Sequence, residues 1–176
     1  MDDLFKRMLR AAKFDVNLYE EVEADEGALT QATFVVILSS LAAGIAGVFS
    51  FGIMFLILST IAALIGWYVW AFLTYYIGTK FLPEEQTEAD YGQLLRTLGF
   101  ASSPGLIRVL GIIPGLMGVV NFIASIWMLA TMVIAVRQAL DYTSTLRAVV
   151  VCIIGWIIQW LVIMLIYALF GISLSI

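Results

Sequence analysis

The chain has 176 residues, 62% of them apolar and only 12% charged, with a formal net charge of -4. A soluble domain of this size has too little interior to hide so much apolar surface. With no His and a single Cys, imidazole catalysis, Ser-His triads, His or Cys-cluster metal centres and internal disulfides are excluded.

The charges are unevenly placed. Between Glu26 and Lys80 lie 53 residues without Asp, Glu, Lys or Arg; 28 more separate Arg108 from Arg137, and 29 follow Arg147. A hydrocarbon core about 30 Å thick needs about 20 apolar helical residues. Each uncharged stretch therefore holds one or two membrane spans. No run of basic residues is present to hold nucleic acid. The mixed-charge N-terminus, with its first long apolar run near Thr30, carries no expected signal peptide.

Residues 2–14 predict a short amphipathic helix. Leu4, Phe5, Met8, Leu9 and Ala12 recur at three- and four-residue steps, and Lys6, Arg10 and Lys13 take the opposite side. Such a helix either lies among lipid headgroups, with Lys6, Arg10 and Lys13 as lipid contacts, or packs on the cytoplasmic ends of its own protein. Residues 15–26 are acidic and expected to face solvent. Residues 1–29 thus form a cytoplasmic lead-in, and 30–176 a single membrane domain.

The 53-residue stretch would be about 80 Å long as one helix, so it must fold back. Ser50-Phe51-Gly52 is the expected turn, between spans at 30–50 and 53–79. Ser39, Ala43 and Gly47 in the first, and Ala62 and Gly66 in the second, form small-xxx-small faces suited to close helix contact or self-association. Residues 83–91 form a short loop rich in Glu84, Glu85, Glu88 and Asp90, whose plain reading is a solvated surface.

Residues 94–114 are apolar yet contain Arg96, Arg108, Pro104 and Pro114. They either span as a third helix, kinked at Pro104, or dip in and return. A fourth span covers 116–136 and a fifth 148–172, separated by a polar loop in which Thr143 or Ser144 can cap the last helix. With five spans and the N-terminus inside, eight of the nine cationic residues fall on the inner side, as the positive-inside rule requires. The expected fold is all-α: a polytopic membrane protein of five transmembrane helices with a Pro-broken third, a cytoplasmic N-terminus and an external C-terminus.

Intramembrane polar residues are the functional candidates. Arg108 is the strongest, because no acidic residue occurs in any span. It must snorkel to headgroups, bind carbonyls freed by Pro104, or meet a lipid phosphate or a partner chain. Asn121 and Gln159 are expected to join helices by hydrogen bonds. No nucleophile elbow, P-loop or dinucleotide fingerprint is present, so no catalytic, metal or cofactor residue is expected.

One further pattern comes from Asp90-Tyr91-Gly92, from Leu98-Gly99-Phe100-Ala101-Ser102-Ser103-Pro104, from Trp127, and from residues 139–148 (ALDYTSTLRA). Together with residues 19–25 (YEEVEAD) and Gln31-Ala32, these resemble the YIP domain family, the Ypt-interacting proteins, over nearly the whole chain. The resemblance implies a five-span helical membrane domain. Eukaryotic relatives sit in endoplasmic-reticulum and Golgi membranes, associate with Rab GTPases and partner proteins in vesicle traffic, and have a long cytoplasmic N-terminal region. Here about 30 residues precede the first span, which points instead to a prokaryotic member in the plasma membrane. The expected role is a non-enzymatic scaffold or adaptor that associates with other membrane proteins or organises lipid. The alternatives are an accessory subunit of a larger membrane complex, energy-converting or photosynthetic, and a small oligomeric transporter or channel.

Overall fold

The computed structural model describes residues 2–169, whose secondary structure is all helical, with no strand among them. The helices are α1 (Asp2–Ala12), α2 (Val16–Ala24), α3 (Ala28–Gly44), α4 (Val48–Tyr76), α5 (Tyr91–Ala101), α6 (Met117–Ala139) and α7 (Thr145–Leu169). A π-helical turn extends α4 over Ile77–Phe81, and a 3-10 helix follows α5 over Ser103–Ile112. The expected external end of the chain, past residue 169, lies outside the described residues.

Buried and exposed apolar side chains divide the molecule in two. One half, called the base below, is closely packed. It joins α1, α2 and α5 to the adjoining ends of α3, α4, α6 and α7. Every residue from Leu94 to Ala101 of α5 is buried, and Tyr19, Phe100, Leu18, Ile77, Leu94, Leu98 and Leu140 are the largest enclosed side chains of the base. The other half is open. Phe51 is 71% exposed and Phe122 66%, and Trp156 and Trp160 are each 58% exposed. Surfaces of that kind are stable only in contact with lipid or another apolar partner.

Three stretches are long and apolar enough to cross a membrane: Phe51–Phe81, Met117–Ala139 and Thr145–Val162. The shorter α3 is also apolar. The chain turns back at the expected place. Gly52 takes φ 77°, ψ 175° and breaks α4 near its start, a backbone state that glycine alone reaches without strain. Beyond it α4 runs antiparallel to α3: a Cβ on Gly44 would lie 2.7 Å from Leu56, and one on Gly47 would strike Phe55.

Two segments differ from the sequence reading. Residues 15–26 do not merely face solvent. They hold α2, whose Leu18, Tyr19 and Val22 are fully buried while the carboxylates of Glu20 and Glu21 stay outside. The segment after α5 is not a kinked α-helix. The chain tightens at Ser102 into 3-10 geometry that runs to Ile112, and Pro104 sits in its first turn, where its missing N–H is not needed.

Two helix ends reverse in the same way. After α1, Asp15 N–H donates to Arg10 O and Phe14 N–H to Ala11 O, both at 3.1 Å. After α6, Tyr142 N–H donates to Arg137 O and Asp141 N–H to Gln138 O, both at 2.9 Å. These are Schellman pairs. The left-handed position, usually glycine, is Phe14 in the first (φ 63°) and Asp141 in the second (φ 52°).

Candidate functional site

The base is held by charges whose partners come from distant parts of the chain. Arg96 of α5 is 7% exposed and has no carboxylate partner within ion-pair distance. Its Nε donates to Val22 O at 3.0 Å and Glu23 O at 3.1 Å, and its terminal nitrogen donates to Glu23 O again. These carbonyls lie in the last turn of α2, which has no helical partners left to offer them. Arg7 meets Glu21 at 2.9 Å and Asp25 at 3.0 Å, while Arg10 meets Asp15 at 2.7 Å and Glu21 at 2.6 Å. The hydrogen bonds from Arg10 hold both Asp15 and Glu21 below the usual carboxylate range.

A second tie joins the 82–90 loop to the start of α7. Glu84 accepts from Thr143 N–H at 2.8 Å and from the Thr143 hydroxyl at 2.7 Å, and meets Arg147 at 3.3 Å. The Thr143 bonds pull its carboxyl down to about 2. Arg147 also donates to Pro83 O at 2.6 Å, and the Tyr142 hydroxyl donates to Leu82 O at 2.7 Å and Gly78 O at 3.0 Å. Burial pushes Tyr142 up to about 12. Beside this tie, Glu20, Glu23, Arg137 and Asp141 line a polar groove. Burial, and after it the charge of Asp141, raises Glu23 to about 7.

Where the base meets the open half lies a different feature, a cavity of about 420 Å³ between α3, α4, α7 and the 3-10 helix. Its polar lining is Ser39, Ser40, Ser59, Ser102, Arg108 and Gln159, and its walls include Trp67, Trp70 and Trp156. Close packing at one end brings these residues together. A Cβ on Gly105 would collide with the Ser39 hydroxyl and stand 3.0 Å from Met128 Sδ, so glycine is what lets the 3-10 helix lie against α3 and α6. Thr131 locks the same junction by donating to Ala101 O at 2.8 Å.

The polar groups of the cavity are unequally occupied. Ser40 donates to Ile37 O at 2.8 Å, and Ser59 to Leu56 O at 3.0 Å. Ser39 is 4% exposed, and its hydroxyl makes no hydrogen bond to any described residue. The Trp70 indole N–H is the buried side-chain donor without a partner among the described residues. Arg108 has one hydrogen bond there, from its terminal nitrogen to Ser125 Oγ at 3.4 Å.

The chain matches the Yip1 domain family over residues 17–173. It belongs to the Yip1 family. That family is not a known enzyme family, and the match makes the chain a membrane protein of multi-pass type. No curated protein and no solved structure matches it significantly.

The residues that carry the family resemblance in the sequence sit mostly in the base. Asp90 caps α5 by accepting from Gln93 N–H at 2.9 Å, and Gln93 closes a capping box by accepting from Asp90 N–H at 2.6 Å. Tyr91 donates to Tyr68 O at 2.9 Å. Gly92 leaves room for the Arg96 guanidinium, and Gly99 lets α5 touch Ala32 of α3. Pro104 is buried in the first turn of the 3-10 helix. The Trp127 indole donates to Ala12 O at 2.7 Å and so ties α6 to the end of α1.

The remaining candidates separate. Arg108 and Gln159 meet at the cavity, whereas Asn121 does not line it. On α1 the cations and apolar residues do not take opposite sides. Leu4, Met8 and Ala11 face inward, while Phe5 and Leu9 are exposed alongside Lys6 and Lys13. The small face of the first expected span is used internally, through Ser39 of α3 against Gly105 and Gly47, just past α3, against Phe55. Gly66 touches no neighbouring helix and borders the cavity.

Proposed function

We propose that this Yip1-family chain is a non-enzymatic membrane scaffold or adaptor whose exposed helices recruit other membrane proteins while the base keeps them in register. The observation that carries the reading is α4. The most apolar 18-residue window within Phe51–Phe81 has only 6% of its residues buried, although a tight base anchors the helix further on through Trp67, Trp70, Ala71 and Thr74. A long helix fixed at one end and uncovered along its length offers a surface for partner helices.

Five spans, a cytoplasmic N-terminus and a plasma-membrane location complete the proposal. Lys6, Arg7, Arg10, Lys13, Arg96, Arg137 and Arg147 gathered at the base support this orientation. The 3-10 helix supports the third crossing. Five residues of α-helical rise followed by ten at about 2.0 Å each carry the chain roughly 27 Å from Arg96 to Ile112.

The test is site-specific photo-crosslinking in cells that make the protein, with the reactive group placed in turn at Ile61, Ile65 and Phe72, all exposed on α4. A scaffold gives a discrete protein adduct at one or more of these positions. Lipid adducts alone at all three contradict the reading. An adduct recovered in fixed stoichiometry as one assembly marks an accessory subunit instead. The convergence of Arg108 and Gln159 on one cavity favours a second reading, a small oligomeric transporter, tested by solute flux into liposomes.

A further inference from the structure

We propose that the cavity between α3, α4 and α7 binds an anionic headgroup, a phosphate or carboxylate carried by an amphiphile, with Arg108 as its counter-charge. The site does not depend on the scaffold reading. Crosslinking along α4 and anion binding at Arg108 succeed or fail separately.

The first argument is charge. The ion pairs among the described residues involve Arg7, Arg10 and Arg147, all in the base. Arg108 lies in the apolar half, and the acidic residues of the chain lie at 2–26, 84–90 and 141. Its guanidinium carries five N–H donors, of which one has a partner, the long bond to Ser125. A charge in apolar surroundings is costly without a counter-ion, and the chain supplies none at that level.

The second argument is the rest of the lining. Ser39 is almost completely buried and its hydroxyl has no described partner. Gln159 adds its side-chain amide to the same walls, and the Trp70 indole N–H, enclosed and without a described partner, belongs to a residue of the same lining. Donors gathered around one cation suit an anion. Ser40 and Ser59 now donate to their own helices, but a hydroxyl rotates, and either can turn toward a ligand.

The third argument is shape. Ala43, Phe55 and Trp156 line the cavity and are themselves exposed, so its mouth lies on the lipid-facing side between α4 and α7. Gly66 meets nothing within 4 Å of where its Cβ would be, which leaves the α4 wall clear. About 420 Å³ holds a headgroup but not its chains. The chains would lie outside, along the exposed apolar faces of α4 and α7.

The test is thermal unfolding of the purified full chain in neutral detergent, titrated with short-chain phosphatidylglycerol, phosphatidylcholine of the same chain length, or inorganic phosphate. The proposal expects a saturating rise in Tm with phosphatidylglycerol, as binding to the folded state requires, and little with phosphatidylcholine. Arg108→Gln raises the half-saturating concentration at least tenfold, and Arg108→Lys raises it less. Gly66→Leu fills the cavity while leaving Arg108 in place. It also raises the half-saturation at least tenfold and decides the matter should Arg108→Gln fail to fold. Comparing variants separates the cavity from lipid gathered by Lys6 and Lys13. Saturation by phosphate at the same concentration would keep the anion site and identify a free anion as its ligand. Equal response to both lipids, no response to any anion, or unchanged half-saturation in both variants would overturn the proposal.

Discussion

The base and the open half use arginine in opposite ways. In the base, Arg96 is buried against the carbonyls of Val22 and Glu23, and Arg7, Arg10 and Arg147 each meet a carboxylate. In the open half, Arg108 has one long hydrogen bond and no acidic neighbour. The same residue type is thus a rivet in one place and an unmet demand in the other. Packing is tight at Gly78 and Gly99 of the base, against Leu140 and Ala32, and again at Gly44 and Gly47 beside the reversal, while Gly52, Gly66 and Gly118 of the open half meet nothing within 4 Å. A protein whose polar half folds against itself and whose apolar half waits for lipid has its stability in one region and its binding surface in the other.

The sharpest break in this comparison is Arg96→Met. Bonds from a charged donor contribute about 1.5–3 kcal/mol each, and the Val22 and Glu23 carbonyls would lose theirs inside a buried site. The expected loss is about 3 kcal/mol, read as a large fall in Tm in detergent. Arg108→Met, in the same protein without added lipid, should cost much less.

The same glycine substitution sharpens the contrast further. A Cβ on Gly99 would lie 2.6 Å from the Ala32 Cβ and 3.1 Å from its Cα. Overpacking against backbone costs about 1–3 kcal/mol, so Gly99→Ala should lower Tm clearly. Gly118→Ala meets open space and should change stability by about 0.5 kcal/mol or less.

A smaller effect follows from the two shifted glutamates of the base. The Glu84 carboxyl is lowered, from 4.5 to about 2, so its contribution is present above 4.5 and is lost as pH falls toward 2. Glu23 is raised, from 4.5 to about 7. Its protonated form is favoured in the folded state, so that contribution is present below 4.5 and is lost as pH rises toward 7. Thermal stability should therefore peak near pH 4.5–5. Glu23→Gln should flatten the neutral side of the curve and leave the acid side unchanged. A curve with the same neutral slope in that variant would remove Glu23 from the account.

Some of this was legible in the residue pattern. The uncharged stretches located α4, α6 and α7 because a membrane span is written directly as length without charge. Gly52 marked the reversal because φ > 0 needs glycine. Thr143 and Ser144 marked the start of α7. What was hidden depended on contacts between distant segments. The buried seam of Leu18, Tyr19 and Val22 is masked by the acidic residues around it. Glu84 reads as one of a solvated cluster until Thr143, 59 residues away, donates to it. Pro104 signalled a break, but proline restricts its own φ and does not specify that 3-10 geometry follows. Arg108 and Gln159 were each conspicuous alone, and only the fold shows that they share a cavity.

The central claim is that the base stands at the aqueous surface and the open half in lipid, and depth measured by spin labelling tests it most directly. In a Cys152→Ala background reconstituted into vesicles, a nitroxide is placed at Glu20, exposed on the base, or at Phe122, exposed on α6 of the open half. The account predicts that a water-soluble nickel complex relaxes the label at residue 20 and that oxygen dissolved in the hydrocarbon relaxes the label at 122. Strong relaxation of both labels by the nickel complex, or of both by oxygen alone, would contradict the division of the molecule on which the account rests.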